Sequence, residues 1–269
     1  MDELSVQRDG VTLAGDDAGE GPAIVLLHGL TATRRYVVMG SKALERGGHR
    51  VVAYDARGHG ASSPAPEYTY EALAGDLLAV LDQCGIERAV LVGASMGAHT
   101  IVRFALDHGD RAAALVVVTP AYTPEGDADS VERWDALAAG LRSGGVDGFV
   151  AAYGEPPVPE AWRETIVKVL HQRLSAHEHP EAVADALEQV PRSHAFDAWD
   201  ELAELELPAV VVASRDDADP GHPYAIGERY AAAIPGARLR SEEPGASPLA
   251  WQGGQLSKLI AEVAGRVRA

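Results

Sequence analysis

The chain has 269 residues, 46% of them apolar, which is enough to bury one large core or a core with an inserted lobe. Its net charge of −17 repels phosphate backbones and anionic lipid, so nucleic-acid and membrane-surface partners are not expected, and no apolar run reaches transmembrane length. The single cysteine, Cys84, excludes an internal disulfide and a cysteine-rich metal site; with an acidic Met1-Asp2-Glu3 start in place of a basic, apolar leader, it points to a reduced, cytoplasmic setting.

Leu4 to Arg8 and Val11 to Ala14 read as two short strands turned by Asp9-Gly10. Ala23 to Leu27 is a continuous apolar run ending at His28-Gly29, and Arg50 to Asp55 is another; such runs suit parallel strands buried on both faces. Between them, Arg34 to Arg46 has a helix-like pattern closed by Gly47-Gly48. Tyr68 to Cys84 predicts a helix stopped by Gly85, with Cys84 on its apolar stripe as a packing residue. Arg88 to Val92, Ala113 to Thr119, Pro208 to Ala213 and Ala237 to Ser241 predict four further strands, and Gln252 to Arg268 a closing helix. Strands alternating with helices imply α/β architecture, a mostly parallel doubly wound sheet. The rhythm breaks from Ala121 to Leu205, a helix-rich stretch with Pro156-Pro157 and no strong strand. The expected organisation is therefore a core of residues 1–120 and 206–269 with a helical lid, or cap, at 121–205.

Gly93-Ala94-Ser95-Met96-Gly97 lies between a predicted strand and a helix-period segment. A serine on so sharp a turn projects its hydroxyl at the strand's carboxyl end beside a helix N-terminus, and flanking glycines let strand and helix approach. Two further motifs accompany it: His28-Gly29-Leu30, and Tyr54-Asp55-Ala56-Arg57-Gly58-His59-Gly60. With these three motifs the chain resembles the α/β-hydrolase fold superfamily over nearly its whole length.

The resemblance implies that Ser95 is the nucleophile and that the backbone amides of Met96 and Leu30 form an oxyanion hole. It places the acid after the strand ending at Ala213, at Asp217, with Asp216 and Asp219 as solvated loop charges. It places the histidine in a late loop that here reads Pro244-Gly245-Ala246-Ser247-Pro248, so the expected slot is Ala246, and no histidine follows His222. Without an imidazole a serine hydroxyl keeps its high pKa and attacks poorly. Three explanations stand side by side: His222, five residues past Asp217, has taken over as base; the elbow survives in a protein that binds without hydrolysing or works without a triad; or position 246 is altered or aligns differently.

Other histidines carry less. His59 belongs to a structural turn, His99 faces the core or the lid base, and His177-Glu178-His179 reads as a solvated turn, no third metal ligand being evident. Trp134, Tyr153, Trp162, Phe196 and Trp199 either line an apolar pocket or hold the lid's helices together. Haloalkane dehalogenases and epoxide hydrolases of this fold use a carboxylate at the elbow, where this chain has Ser95. The expected function is a serine hydrolase of a small, mainly apolar ester, lactone or thioester, with no cofactor or metal, a small-molecule substrate as partner, and neither nucleic acid nor membrane. The alternatives are a non-hydrolytic ligand-binding protein or cofactor-independent lyase, and an assembly role with the lid as interface.

Overall fold

The computed structural model describes residues 2–126, 128–215, 219, 221–243, 251 and 253–267. Eight strands form one sheet: β1 (Asp2–Arg8), β2 (Val11–Ala18), β3 (Ala23–Leu27), β4 (Arg50–Tyr54), β5 (Ala89–Ala94), β6 (Ala112–Val118), β7 (Ala209–Val212) and β8 (Arg238–Arg240). Their order is β1-β2-β4-β3-β5-β6-β7-β8. The pairs β1–β2 and β2–β4 are antiparallel and all others parallel. The opening hairpin turns at Asp9 and Gly10, with φ of 51° and 79°, the left-handed pair that a two-residue hairpin needs. Both hairpin strands run longer than their sequence pattern suggests, because Gly15 to Ala18 continue into pairing with β4. A Cβ at Gly15 would lie 2.8 Å from the Ala53 carbonyl oxygen, so the close approach requires glycine.

The apolar runs become strands because both faces are covered. Ile24, Leu26, Val90, Val92, Val116, Val118, Val210 and Val212 face α1 (Ala43–Arg46) and α8 (Gly254–Val267). Val25, Leu27, Leu91, Leu115, Val117 and Val211 face α2 (Tyr70–Gln83), α3 (Met96–Asp107) and α7 (Tyr224–Ala233). The two-residue alternation thus feeds two separate cores. Thr69 caps α2, its side chain accepting the Ala72 N–H at 3.1 Å.

One expected element is different. Arg34 to Arg46 is not one helix but a 3-10 turn at Arg34–Tyr36 followed by the four-residue α1. Positive φ at Met39 (50°) and Gly40 (71°) breaks it. Tertiary contacts override the helical pattern: the Arg34 N–H and guanidinium both bind Asp55, its Nε binds Asp16, and Val37 and Val38 bury into the core beneath α8.

Between β6 and β7 the chain forms α4 (Ala128–Tyr153), α5 (Glu160–Leu174), α6 (Pro180–Gln189) and two 3-10 turns. α4 is broken at Gly145, where φ is 59° and ψ −144°. This segment has its own core of Leu137, Leu141, Phe149, Leu170, Leu174, Val183 and Leu187, against which Leu30 of the sheet's carboxyl edge packs.

Candidate functional site

Ser95 sits between β5 and α3 with φ 51° and ψ −114°. A non-glycine residue there is strained by about 1–3 kcal/mol and must be held by its surroundings. It is held from several sides: its N–H donates to the Val118 carbonyl at 2.9 Å, and its carbonyl accepts the His99 N–H at 3.1 Å. The two motif glycines are obligatory. A Cβ on Gly93 would stand 2.0 Å from the Gly97 carbonyl oxygen, and one on Gly97 would stand 2.3 Å from that of Leu27. The first turn of α3 therefore rests directly on the end of β3, which brings the segment after β3 to the serine. A Cβ on Gly29 would lie 3.2 Å from Ser95 Cβ and 3.9 Å from its Oγ.

Among the described residues, neither the Leu30 nor the Met96 N–H is donated to a protein acceptor. The Met96 amide is free because it opens a helix, the general condition of a helix N-terminus. Two unengaged backbone donors thus flank a half-buried serine, whose Oγ makes no hydrogen bond to another described residue.

The loops beneath are fixed by neutral imidazoles. His28 Nε2 accepts the Ala56 N–H at 2.9 Å, so its Nδ1–H donates to the Gly29 carbonyl at 2.8 Å. Burial drives His28 down to about 3. His59 packs 5.2 Å from His28 and 5.5 Å from His177, centroid to centroid, and burial holds it well below its ordinary value. His177 is not the solvated residue its sequence suggests. It is buried, with Nδ1 accepting the Gly60 N–H at 2.8 Å and Nε2 donating to the Thr31 carbonyl at 3.1 Å. An imidazole from the inserted segment thereby ties together the loops after β3 and β4. His99 faces inward as expected: Nε2 accepts the N–H groups of Ala121 and Tyr122, leaving Nδ1–H for the Tyr70 hydroxyl at 2.8 Å. Burial, with the nearby His222 charge, lowers it to about 3. Under these loops Arg57 meets Asp76 through two 2.7 Å bonds, both side chains being sealed from solvent.

His222 bonds Asp219 Oδ1 through Nδ1 at 2.7 Å. Asp219 is thus an imidazole partner as well as a solvated loop charge, its side chain being 41% exposed. Burial pushes the Asp219 carboxyl up, but the His222 bond and the His222 and Arg173 charges outweigh this and hold it below its ordinary value. His222 Nε2 makes no hydrogen bond to Ser95. Asp217 and Ala246 lie outside the described residues. The aromatic side chains divide: Phe196 and Trp199 pack with Tyr122 and Tyr230 near the sheet, whereas Trp134 and Tyr153 pack on the core of the inserted segment. No group of three or more potential ligands able to hold a metal ion occurs among the described residues. Nor is any helix among them long and apolar enough to cross a membrane.

Sequence reasoning missed Arg173. On α5, Ile166, Leu170 and Leu174 form an inward stripe, and Arg173 falls three residues past Leu170 on that same face. A cation on an apolar stripe was the available signal.

A family model for the alpha/beta hydrolase fold matches residues 22–186. The chain is 32% identical over 202 residues to "Putative carbamate hydrolase RutD" of Variovorax paradoxus (strain S110), covering 74% of this chain and 75% of that one. A thermophilic esterase from Thermogutta terrifontis is similar with a TM-score of 0.82 at 27% identity, over 100% of both chains. An enol-lactonase from Burkholderia xenovorans LB400 follows with a TM-score of 0.73 at 26% identity, over 99% of both. Eight strands in this order, the strained elbow and this match together show that the chain belongs to the α/β hydrolase fold family, where its relatives place it among the hydrolases.

Proposed function

We propose that the protein is a serine hydrolase of a small, mainly apolar ester, lactone or thioester, working through an acyl-enzyme on Ser95. The observation that carries this reading is the strained Ser95 beside two unengaged amides, Leu30 and Met96. In acylation, Ser95 Oγ attacks the substrate carbonyl carbon and gives its proton to His222 Nε2. The carbonyl oxygen takes the negative charge between the Leu30 and Met96 N–H groups, where each donor contributes about 3 kcal/mol to the transition state. The bond to the leaving group breaks as His222 returns the proton to it. Water then repeats the sequence on the acyl carbon and frees Ser95. Asp219 fixes the imidazole through Nδ1, leaving Nε2 as the basic nitrogen, a role the sequence pattern gave to Asp217. Proton transfer requires His222 Nε2 to stand within hydrogen-bond reach, about 3 Å, of Ser95 Oγ in the substrate complex. Residues 121–205 act as the cap, with Leu30 as the contact between oxyanion loop and cap core. The elbow serine, in place of a carboxylate, argues against epoxide or haloalkane chemistry.

Labelling with a fluorophosphonate tests this. Rapid labelling abolished by Ser95→Ala and slowed at least a hundredfold by His222→Ala is expected. Loss only in Ser95→Ala would move the base elsewhere. The second reading, a binding protein or lyase without a working triad, is favoured by one fact: no histidine follows His222. Absence of labelling in the unmodified protein would establish it over the first.

A further inference from the structure

Arg57 is sealed from water and Arg173 is half-buried, and the two are treated differently. Arg57 is neutralised by Asp76. Arg173 has no carboxylate within 4 Å among the described residues, although its Nε is sealed from solvent without a hydrogen-bond partner. Its Nη2 donates to the Leu30 carbonyl at 3.1 Å and to Thr31 Oγ1 at 2.7 Å. Burial pulls the guanidinium below its ordinary value, with Tyr36, Asp219 and Tyr153 opposing. It stays cationic all the same, since arginine does not deprotonate in proteins. Desolvating a cation with no carboxylate in contact is costly, a cost that a protein retains where the charge has a ligand to meet.

We propose that Arg173 is the anion-binding group of the substrate site at Ser95, and that the substrate carries a carboxylate on its acyl side, remote from the scissile carbonyl. This rests on the hydrolase reading and names its substrate class. Arg173 holds the carbonyl of Leu30, the residue whose N–H is the proposed oxyanion donor, so the cation stands one peptide unit from the reacting oxygen's site. It projects from α5, and Tyr36 and Tyr153 lie beside it as walls for the apolar part of an acyl chain. The other groups facing it leave the position open for an anion. Asp219 is hydrogen-bonded to His222 and acts on the guanidinium only from beyond 4 Å, and His28 and His177 are held neutral by burial. The chain's net charge of −17 repels a free carboxylate at long range, so capture of an anionic substrate needs such a desolvated, local cation.

The experiment compares mono-p-nitrophenyl glutarate with p-nitrophenyl pentanoate, equal in chain length and differing in the terminal carboxylate, on the unmodified protein, Arg173→Gln and Arg173→Lys. Expected is at least tenfold higher kcat/KM for the glutarate ester in the unmodified protein. In Arg173→Gln its KM should rise at least thirtyfold while the pentanoate KM rises no more than a few-fold; Arg173→Lys should recover part of the difference. Equal losses on both esters would assign Arg173 to loop support alone and overturn the proposal, as would no preference in the unmodified protein. Free glutarate provides a readout independent of turnover. It should raise the melting temperature of the unmodified protein and leave that of Arg173→Gln unmoved. If Ser95 takes no fluorophosphonate but glutarate still stabilises in this Arg173-dependent way, the hydrolase reading fails and the anion site stands. If glutarate shifts neither protein, the anion site fails, whatever the labelling shows.

Discussion

Replacing Asp76 with alanine should destabilise the fold far more than deletion of a surface charge, and the structure says by how much. Asp76 is fully buried and accepts two 2.7 Å bonds from Arg57, with a third from Arg8 at 3.2 Å. Arg8 is partly exposed and can turn to water, but Arg57 is sealed and cannot. Its remaining partners are neutral carbonyls, Glu67 at 3.0 Å and Ala72 at 3.5 Å. Stranding one half of such a pair costs about 3–5 kcal/mol. For a chain of this size, at about 2–4 °C per kcal/mol, that is a fall in Tm of roughly 6–20 °C. Removing both charges, as Arg57→Met with Asp76→Ala, leaves no orphan, so the double variant should lose less than the sum of the singles by at least about 1.5 kcal/mol. Urea denaturation of the four proteins at pH 7 completes the cycle. Additivity within about 0.5 kcal/mol would refute the reasoning, because it would mean that neither charge depends on the other.

Gly97→Ala should remove Ser95 labelling and cost about 3 kcal/mol or more, because its Cβ would meet the Leu27 backbone at 2.3 Å and not a side chain that can yield; a folded, fully labelled variant would contradict the elbow packing. Acid should destabilise the protein through its buried imidazoles. His28 and His99 are held at about 3 in the folded state and titrate near 6.5 when unfolded, so the unfolded chain binds more protons between those limits and stability falls as pH drops. From pH 7 to pH 5 the two together remove roughly 4 kcal/mol; a loss under about 1 kcal/mol in denaturant titrations would show that they are not held neutral. Thr69→Ala should cost about 1 kcal/mol through loss of the α2 cap, measured as a shift in urea midpoint with unchanged slope.

Much of the scaffold was legible because local and global preferences agree. Ala23 to Leu27 and Ala112 to Val118 are apolar on both faces, and burial on both faces is what they receive. The elbow was legible because steric limits at Gly93 and Gly97 leave few other residues able to stand there. Arg34 to Arg46 failed because one carboxylate, Asp55, far along the chain, recruits both the backbone and the side chain of Arg34. The pull of Arg173 on Leu30, 143 positions away, was equally out of reach. Such contacts are set by where loops end in space, and periodicity carries no information about that. Residues 177–179 show the same limit: two histidines flanking a glutamate look solvated in sequence, yet His177 enters the core through partners more than a hundred positions away.

Thr31 is fastened twice from the inserted segment, at its hydroxyl by Arg173 and at its carbonyl by His177, while its own φ of 68° leaves it little freedom to follow a moving partner. α5 and the turn before α6 are therefore latched to the loop after β3, whereas the first half of α4, before the break at Gly145, is fastened to α6 and the turn after it, Arg142 meeting Asp185 and Glu188 and Asp135 meeting Arg192. Amide exchange should register the first fastening as slow exchange around 28–33 and 173–178. The inserted segment is thus held at two separate joints, one to the loop beside Ser95 and one within itself.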